Sequence, residues 1–249
     1  VLALTEWDWF AAGGHPTPEI MAIGPLGGMA RELSGRVSCR NWNDEISTHR
    51  SAYRVRVAYP AVPGISPDEA VRAVQAAAGP RARLTCDAGA HMIPTLAQWI
   101  ATEPVGVLKS NGLSTMGYAL PAAIGSAMAE PDRSVVAITG DGGAMMCLGE
   151  MATAQERGLD ITYVVLNDAV LSLIDVKQRN QQRPRDGVAG NTHDFAMMAR
   201  GCGWQAATVN SIDELEPAVA RMATVKGPRL LDIRIDPSGY GAQFDAMRG

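Results

Sequence analysis

The chain has 249 residues, 47% hydrophobic and 19% charged, with 22 Lys and Arg against 26 Asp and Glu and a formal net charge of −4, which suits one large or two small globular domains. No basic cluster offers a surface to a polyanion, which argues against nucleic acid as a partner, and no apolar run approaches the roughly 18 residues of a membrane span. The opening VLALTEWDWF carries acids and no basic residue, unlike a secretory leader, and the four cysteines, Cys39, Cys86, Cys147 and Cys202, are widely spaced, as reduced and mostly buried thiols of a cytoplasmic protein are.

Residues 1–28 hold Trp7, Trp9, Phe10 and three prolines without a clear period. A short helix fits 29–33, a strand or loop 37–42, and a polar helix 43–50. This stretch has too little core for an independent domain. It reads either as the end of a larger domain or as an extension ahead of the first one. Residues 59–66, YPAVPGIS, read as a linker. Ser66-Pro67-Asp68-Glu69 starts a helix to 78, with Pro at its first position. A strand at 83–86, a turn at 87–90, a helix at 94–101 and a strand at 105–108 follow, then a loop from Ser110 and a small-residue helix at 118–129.

The stretch 134–178 organises the rest. Residues 134–139 are mostly β-branched and apolar, the pattern of a strand buried on both faces. They run into Gly140-Asp141-Gly142-Gly143, where the chain has to turn and leave amides bare. Helical spacing then predicts one helix over 144–157, closed by Gly158. A second buried strand, 161–166, ends at Asn167-Asp168, and a helix follows from about 170. Residues 181–191, QQRPRDGVAGN, form a polar loop of the kind that covers a site. Next come a helix at 192–202 with Thr192 or His193 near its cap, a strand at 205–209, a capping box at Ser211-x-x-Glu214 opening a helix to 223, a strand at 229–235 and a tail at 237–249. Strands alternate with helices and no hairpin signal intervenes. The expectation is an α/β fold, a doubly wound parallel sheet with helices on both faces.

Asp141 and Asp168 stand 27 residues apart at two strand ends (168 − 141), and ligands of open parallel sheets bind at such ends. Paired carboxylates beside glycine amides and a helix N-terminus suit a hard cation holding a phosphate. An unpaired buried carboxylate needs a cation or hydrogen bonds, and Asp141 can also cap the following helix.

The GDG motif followed at this distance by Asn-Asp resembles the thiamine diphosphate signature. Residues 110–125, SNGLSTMGYALPAAIG, resemble the cofactor loop of acetolactate synthases, usually close to GGLGTMGxGLPAAIG, and TCDAGAH at 85–91 resembles their DVGxH turn. The likeness covers roughly 60–236. The chain is thus similar to the C-terminal, diphosphate-binding domain of thiamine diphosphate-dependent enzymes, with acetolactate synthase large subunits the nearest group. The resemblance implies a diphosphate-binding domain over 67–236, behind a 1–58 remnant of a middle domain. It implies Mg²⁺ held by Asp141, Asp168 and the Val170 carbonyl, completed by diphosphate oxygens and water. The amides of Gly142, Gly143, Ser172 and Leu173 would bind the diphosphate, with Gly140, Ala90 and His91 near it; His91 fits a structural histidine equally. Met116 would wedge the cofactor into a V and donate its amide to the aminopyrimidine, while the Ser114 carbonyl would accept from that ring; ordinary core packing is the other reading of Met116.

Three positions depart from the pattern: Asp168 replaces the usual Asn, Gly143 replaces a frequent Ser, and Lys177 stands where acetolactate synthases usually carry Trp. Lys177 either reaches a substrate carboxylate or lies on a solvated helix face. The ylid-activating glutamate of the family comes from a separate pyrimidine-binding domain that is not found in this sequence; Glu150 belongs to the helix after GDG. The resemblance implies a subunit or fragment of an enzyme that decarboxylates a 2-oxo acid and transfers the carbanion to an acceptor. A partner chain would bring the pyrimidine-binding domain, in a hetero-oligomer built as a dimer of pairs. A simple 2-oxo acid decarboxylase and a non-catalytic regulatory or scaffolding remnant are the alternatives.

Overall fold

The stretch without periodicity contains a strand pair: β1 (Leu2–Thr5) runs parallel to β2 (Ile20–Ile23). The structure, a computed structural model, describes residues 2–5, 20–23, 28, 31–32 and 43–248. Of the helix expected at 29–33, Arg31 and Glu32 are helical; its remaining residues and the 37–42 segment lie outside the described residues. The chain falls into two units, 1–49 and 50–249. Helix α1 (Asn43–Arg56) is longer than the 43–50 expected.

In the second unit the helices are α2 (Pro67–Ala78), α3 (Met92–Gln98), α4 (Ala119–Ala129), α5 (Asp141–Met146), α6 (Glu150–Glu156), α7 (Ser172–Asn180), α8 (Phe195–Gly201), α9 (Ile212–Ala223) and α10 (Tyr240–Arg248). The strands are β3 (Arg83–Cys86), β4 (Val107–Lys109), β5 (Val135–Gly140), β6 (Ile161–Asn167), β7 (Gln205–Val209) and β8 (Arg229–Arg234). These six make one sheet in the order β4-β3-β5-β6-β8-β7, parallel throughout.

Side chains alternate across each strand, so the two faces build separate cores. One face carries Leu84, Val136, Ile138, Val164, Leu166, Leu231 and Ile233 under Val71 and Val74 of α2 and Leu215 and Val219 of α9. The other carries Val135, Ala137, Ile161, Tyr163, Val165 and Leu230 under Ala119 and Ala123 of α4, Met151 of α6 and Phe195 of α8. Each fully buried aliphatic side chain of this kind contributes about 1.5–3 kcal/mol. The sheet is the doubly covered α/β sheet that the alternation of elements implies. The chain leaves β3 toward β4 on one side and toward β5 on the other, and the carboxyl ends around that reversal form a crevice.

Several local expectations change. The helix expected over 144–157 is two helices, α5 and α6. Between them the bonds run three residues back, from Cys147 N to Ala144 O and from Glu150 N to Cys147 O, a tighter turn beside Gly149, a poor helix former. Helix α5 begins at Asp141, so Gly142 and Gly143 lie in its first turn; Gly140 is extended at φ −88° and needs no left-handed backbone. Gly158, at φ +59°, closes α6. Asp194, not Thr192 or His193, caps α8 by accepting from Met197 N. Ser66 forms a complete capping box with Glu69, but Ser211 makes no side-chain cap, and Glu214 accepts from Asn210 N instead.

The expected linker and tail are packed together. Tyr59 meets Tyr240 edge-on at 5.3 Å between ring centres, its hydroxyl donates to Asp236 O at 2.8 Å, Gln243 donates to Val57 O, and Ile65 bridges Ile235. Among the described residues no helix is long and apolar enough to cross a membrane.

Candidate functional site

Strands β5 and β6 are neighbours with Gly140 opposite Leu166, which brings the residues after both strands side by side. The Asp141 carboxylate accepts from Gly142 N at 2.6 Å and from the backbone of Ala169. Ala169 sits at φ +58°, a left-handed conformation that a non-glycine residue adopts at a cost. Asp168 accepts from Val170 N at 3.0 Å and from the Ser172 hydroxyl at 2.7 Å. Burial raises the pKa of both acids. For Asp168 it pushes the carboxyl up to about 6, against the Ser172 hydrogen bond and with help from the Asp141 charge. Two acids that resist ionisation side by side are poised for a cation.

Among the described residues no group of three or more His, Cys, Asp or Glu side chains is set to hold a metal. A cation here would rest on two carboxylates, backbone carbonyls and the oxygens of a ligand, the donor set of a hard ion such as Mg²⁺. The Val170 carbonyl accepts from Ser172 N at 2.8 Å and keeps its second lone pair. The Ser172 amide is therefore engaged within the chain.

A cavity of about 220 Å³ opens beside these acids, walled largely by apolar side chains. It brings together Ala90, His91, Ser114, Met116, Gly140, Asp141, Gly142, Gly143, Asp168, Val170, Ser172 and Leu173. A Cβ on Gly142 would lie 2.6 Å from Leu171 Cδ2 and 3.1 Å from Met116 Cε, so glycine here lets both apolar side chains close over the start of α5. Ser114 is left-handed at φ +49°, where the acetolactate synthase loop has Gly. His91 is buried against backbone: a Cβ on Gly89 would lie 2.5 Å from its ring and one on Gly140 3.0 Å from its Nδ1. Burial is the largest influence on His91 and opposes its charge, yet the hydrogen bonds and charges of Asp87 and Cys86 together outweigh it and lift the pKa to about 10.

A second cavity adjoins Asp141 and Gly142 and is bordered by Gly187–Asn191 and His193. The 181–191 loop is stitched down beside it by Leu171 N to Val188 O and Gly190 N to Ala169 O, both 2.8 Å, and Arg185 pairs with the buried Asp175 of α7. Lys177 is not brought to either cavity. It is exposed and borders a separate surface hollow with Arg183 and Asp186.

Asp87 was not singled out by sequence, although it is an acid at a strand end, the signal that marked Asp141. It is fully buried. Tyr240 also lines the main cavity; nothing in a stretch that reads as a tail pointed to it.

The family model described as thiamine pyrophosphate enzyme, C-terminal TPP binding domain, matches residues 87–233. The large subunit of acetolactate synthase isozyme 1 of Escherichia coli K12 is 36% identical over 170 residues, which is 67% of this chain and 30% of that protein. The large subunit of isozyme 2 from the same strain is 35% identical over 156 residues, 61% of the chain and 28% of that protein. The acetolactate synthase large subunit of Parasynechococcus marenigrum WH8102 is 29% identical over 240 residues, 92% of the chain and 38% of that protein. The chain thus spans about a third of the length of these curated relatives.

Proposed function

Because the chain belongs to the thiamine pyrophosphate enzyme family, by its C-terminal TPP-binding domain, we propose that it binds thiamine diphosphate and Mg²⁺ in the main cavity and serves an acetolactate synthase-like enzyme. That enzyme decarboxylates a 2-oxo acid and joins the remaining fragment to an acceptor. The observation that carries the cofactor reading is the pairing of Asp141 and Asp168 at adjacent strand ends, beside a cavity closed by Met116 and Leu171.

In this reading Asp141, Asp168 and the Val170 carbonyl hold the metal. The amides of Gly143 and Leu173 receive the diphosphate; the Gly142 amide, like that of Ser172, is already engaged, donating to Asp141, and Ser172 orients Asp168 through its hydroxyl. His91 packs on Gly140 beside the diphosphate site, its ring tied to Asp87. Met116, whose Cε lies over Gly142, would support the cofactor's rings, and the Ser114 carbonyl and Met116 amide would bind its pyrimidine. Leu171, Ile174 and Tyr240 keep water from the apolar side of the cavity. When bound, the cofactor supplies the nucleophile and electron sink for decarboxylating a 2-oxo acid.

The activating glutamate of the family sits on a pyrimidine-binding domain. That domain would come from outside these residues, on another chain or on further sequence of the same one, and the assembly would be a dimer of such pairs. Leu171 and Ile174, which line the cavity and are partly exposed, and the 92% exposed Leu113 next to Ser114 would give it apolar surface to meet. Residues 1–58 would be the end of a middle domain and 67–236 the diphosphate-binding domain. The free Cys86, Cys147 and Cys202 suit a cytoplasmic setting.

A simple 2-oxo acid decarboxylase is the second reading, because Lys177 replaces the Trp of the acetolactate synthase pattern. Product analysis separates the two. With pyruvate, Mg²⁺, thiamine diphosphate and a pyrimidine-binding domain supplied, carboligation gives acetolactate and decarboxylation gives acetaldehyde. Acetaldehyde alone would reject carboligation. Turnover by the chain by itself would reject the need for the second domain.

A further inference from the structure

One carboxylate that the cofactor reading does not use ties the parts of the site together. Asp87, at the end of β3, is fully buried. Its Oδ2 accepts from Gly117 N at 2.7 Å and from the Thr139 hydroxyl at 2.9 Å, and its Oδ1 lies 2.9 Å from His91 Nε2. Gly117 follows Met116, Thr139 precedes Gly140 and Asp141, and His91 packs on Gly140. Gly117 itself is left-handed at φ +74°, and its open side faces Met146 Cβ and Gly143 O on α5. The carboxylate also fills space next to α5: a Cβ on Gly143 would lie 2.3 Å from Asp87 Oδ2 and 2.5 Å from Thr139 Oγ1.

We infer that Asp87 is the positioning residue of this site, fixing the 110–118 loop against the end of β5 and the start of α5. A buried carboxylate is costly unless hydrogen bonds satisfy it, and charge-assisted bonds are roughly twice as strong as neutral ones. The bonds tie the 87–91 turn to Gly117 and Thr139, 30 and 52 residues away, so the acid acts as a clamp between these segments. That the clamped parts serve thiamine diphosphate rests on the reading above; the clamp does not.

The test is residue-resolved hydrogen exchange on the full chain without cofactor, with thiamine diphosphate–Mg²⁺ titration beside it. Asp87→Ala should speed exchange of the Gly117 amide at least about tenfold while the amides of β5 and β6 stay within about twofold, because only the clamp is lost. Asp87→Asn, which still offers Gly117 an acceptor, should restore most of that protection. Gly143→Ala, whose Cβ displaces the carboxylate, should release Gly117 as Asp87→Ala does, and it serves if that variant does not fold. Thiamine diphosphate affinity should fall about tenfold or more in Asp87→Ala and Gly143→Ala, since a shift of about 1 Å in a positioning element is costly. Unchanged Gly117 exchange in both variants, or an equal rise across the whole sheet, overturns the clamp. A wild-type chain that shows Gly117 protection but takes up no thiamine diphosphate keeps the clamp and overturns the cofactor reading.

Discussion

Asp168 carries a charge where the thiamine diphosphate signature usually has a neutral Asn, and its environment sets a pH signature. Burial holds its carboxyl at about 6, above the ordinary aspartate value. A raised folded-state pKa means that the native chain binds this proton more tightly than the unfolded chain does. The group's contribution to stability is therefore largest in acid and falls as pH rises through the folded pKa. We expect the metal-free chain to lose stability between about pH 4 and about pH 6 relative to Asp168→Asn, which has no such proton, and to level off above that. A cation favours the ionised acid, so Mg²⁺ affinity should weaken as pH drops below about 6, by up to about tenfold per pH unit, and level off above it. Thermal melts and metal titrations across that range check both; parallel pH profiles for wild type and Asp168→Asn would refute them. Met116 makes a second prediction at this scale. Its Cε reaches over Gly142, so Met116→Ala should leave diphosphate anchoring intact but slow turnover of the assembled enzyme about ten- to a hundredfold through lost ring geometry. Native turnover would reduce Met116 to core packing. Asp141, Asp168 and Met116 were legible because motif and spacing mark them. Asp87 was not, because its role depends on Gly117, Thr139 and His91, which converge on it only in three dimensions.

At the scale of elements, strands read better than helix ends. The β5 and β6 runs are apolar and β-branched because both faces are covered, and that pattern survives in one dimension. The α5–α6 break does not, since Cys147 to Gly149 preserve helical hydrophobic spacing while the backbone tightens. The capping boxes make the same point. Ser66-x-x-Glu69 and Ser211-x-x-Glu214 are one pattern in sequence, yet only the first closes. Ser66→Ala should therefore cost about 1 kcal/mol in denaturant unfolding, whereas Ser211→Ala should cost only a few tenths. Equal losses would mean that the two helix starts are held alike.

For the whole molecule, the alternation of strands and helices dictated a parallel, doubly covered sheet, and the observed strand order puts both signature acids at its carboxyl edge. What the sequence hid was how its margins fold back. The proline-rich 59–66 segment and the final helix α10 lock through Tyr59 and Tyr240, and Tyr240 then reaches the cavity. Such contacts join residues 181 positions apart (240 − 59), and no local pattern encodes them. In the proposed function Asp141 and Asp168 hold a cation that binds thiamine diphosphate. Isothermal calorimetry of thiamine diphosphate into the chain, with Mg²⁺, with chelator, and into Asp141→Ala with Mg²⁺, tests it most directly. The account predicts one site with Mg²⁺ and affinity at least about a hundredfold weaker in the other two titrations, since even outer-shell ligand losses cost about 10–100-fold. Equal affinity in all three would contradict it.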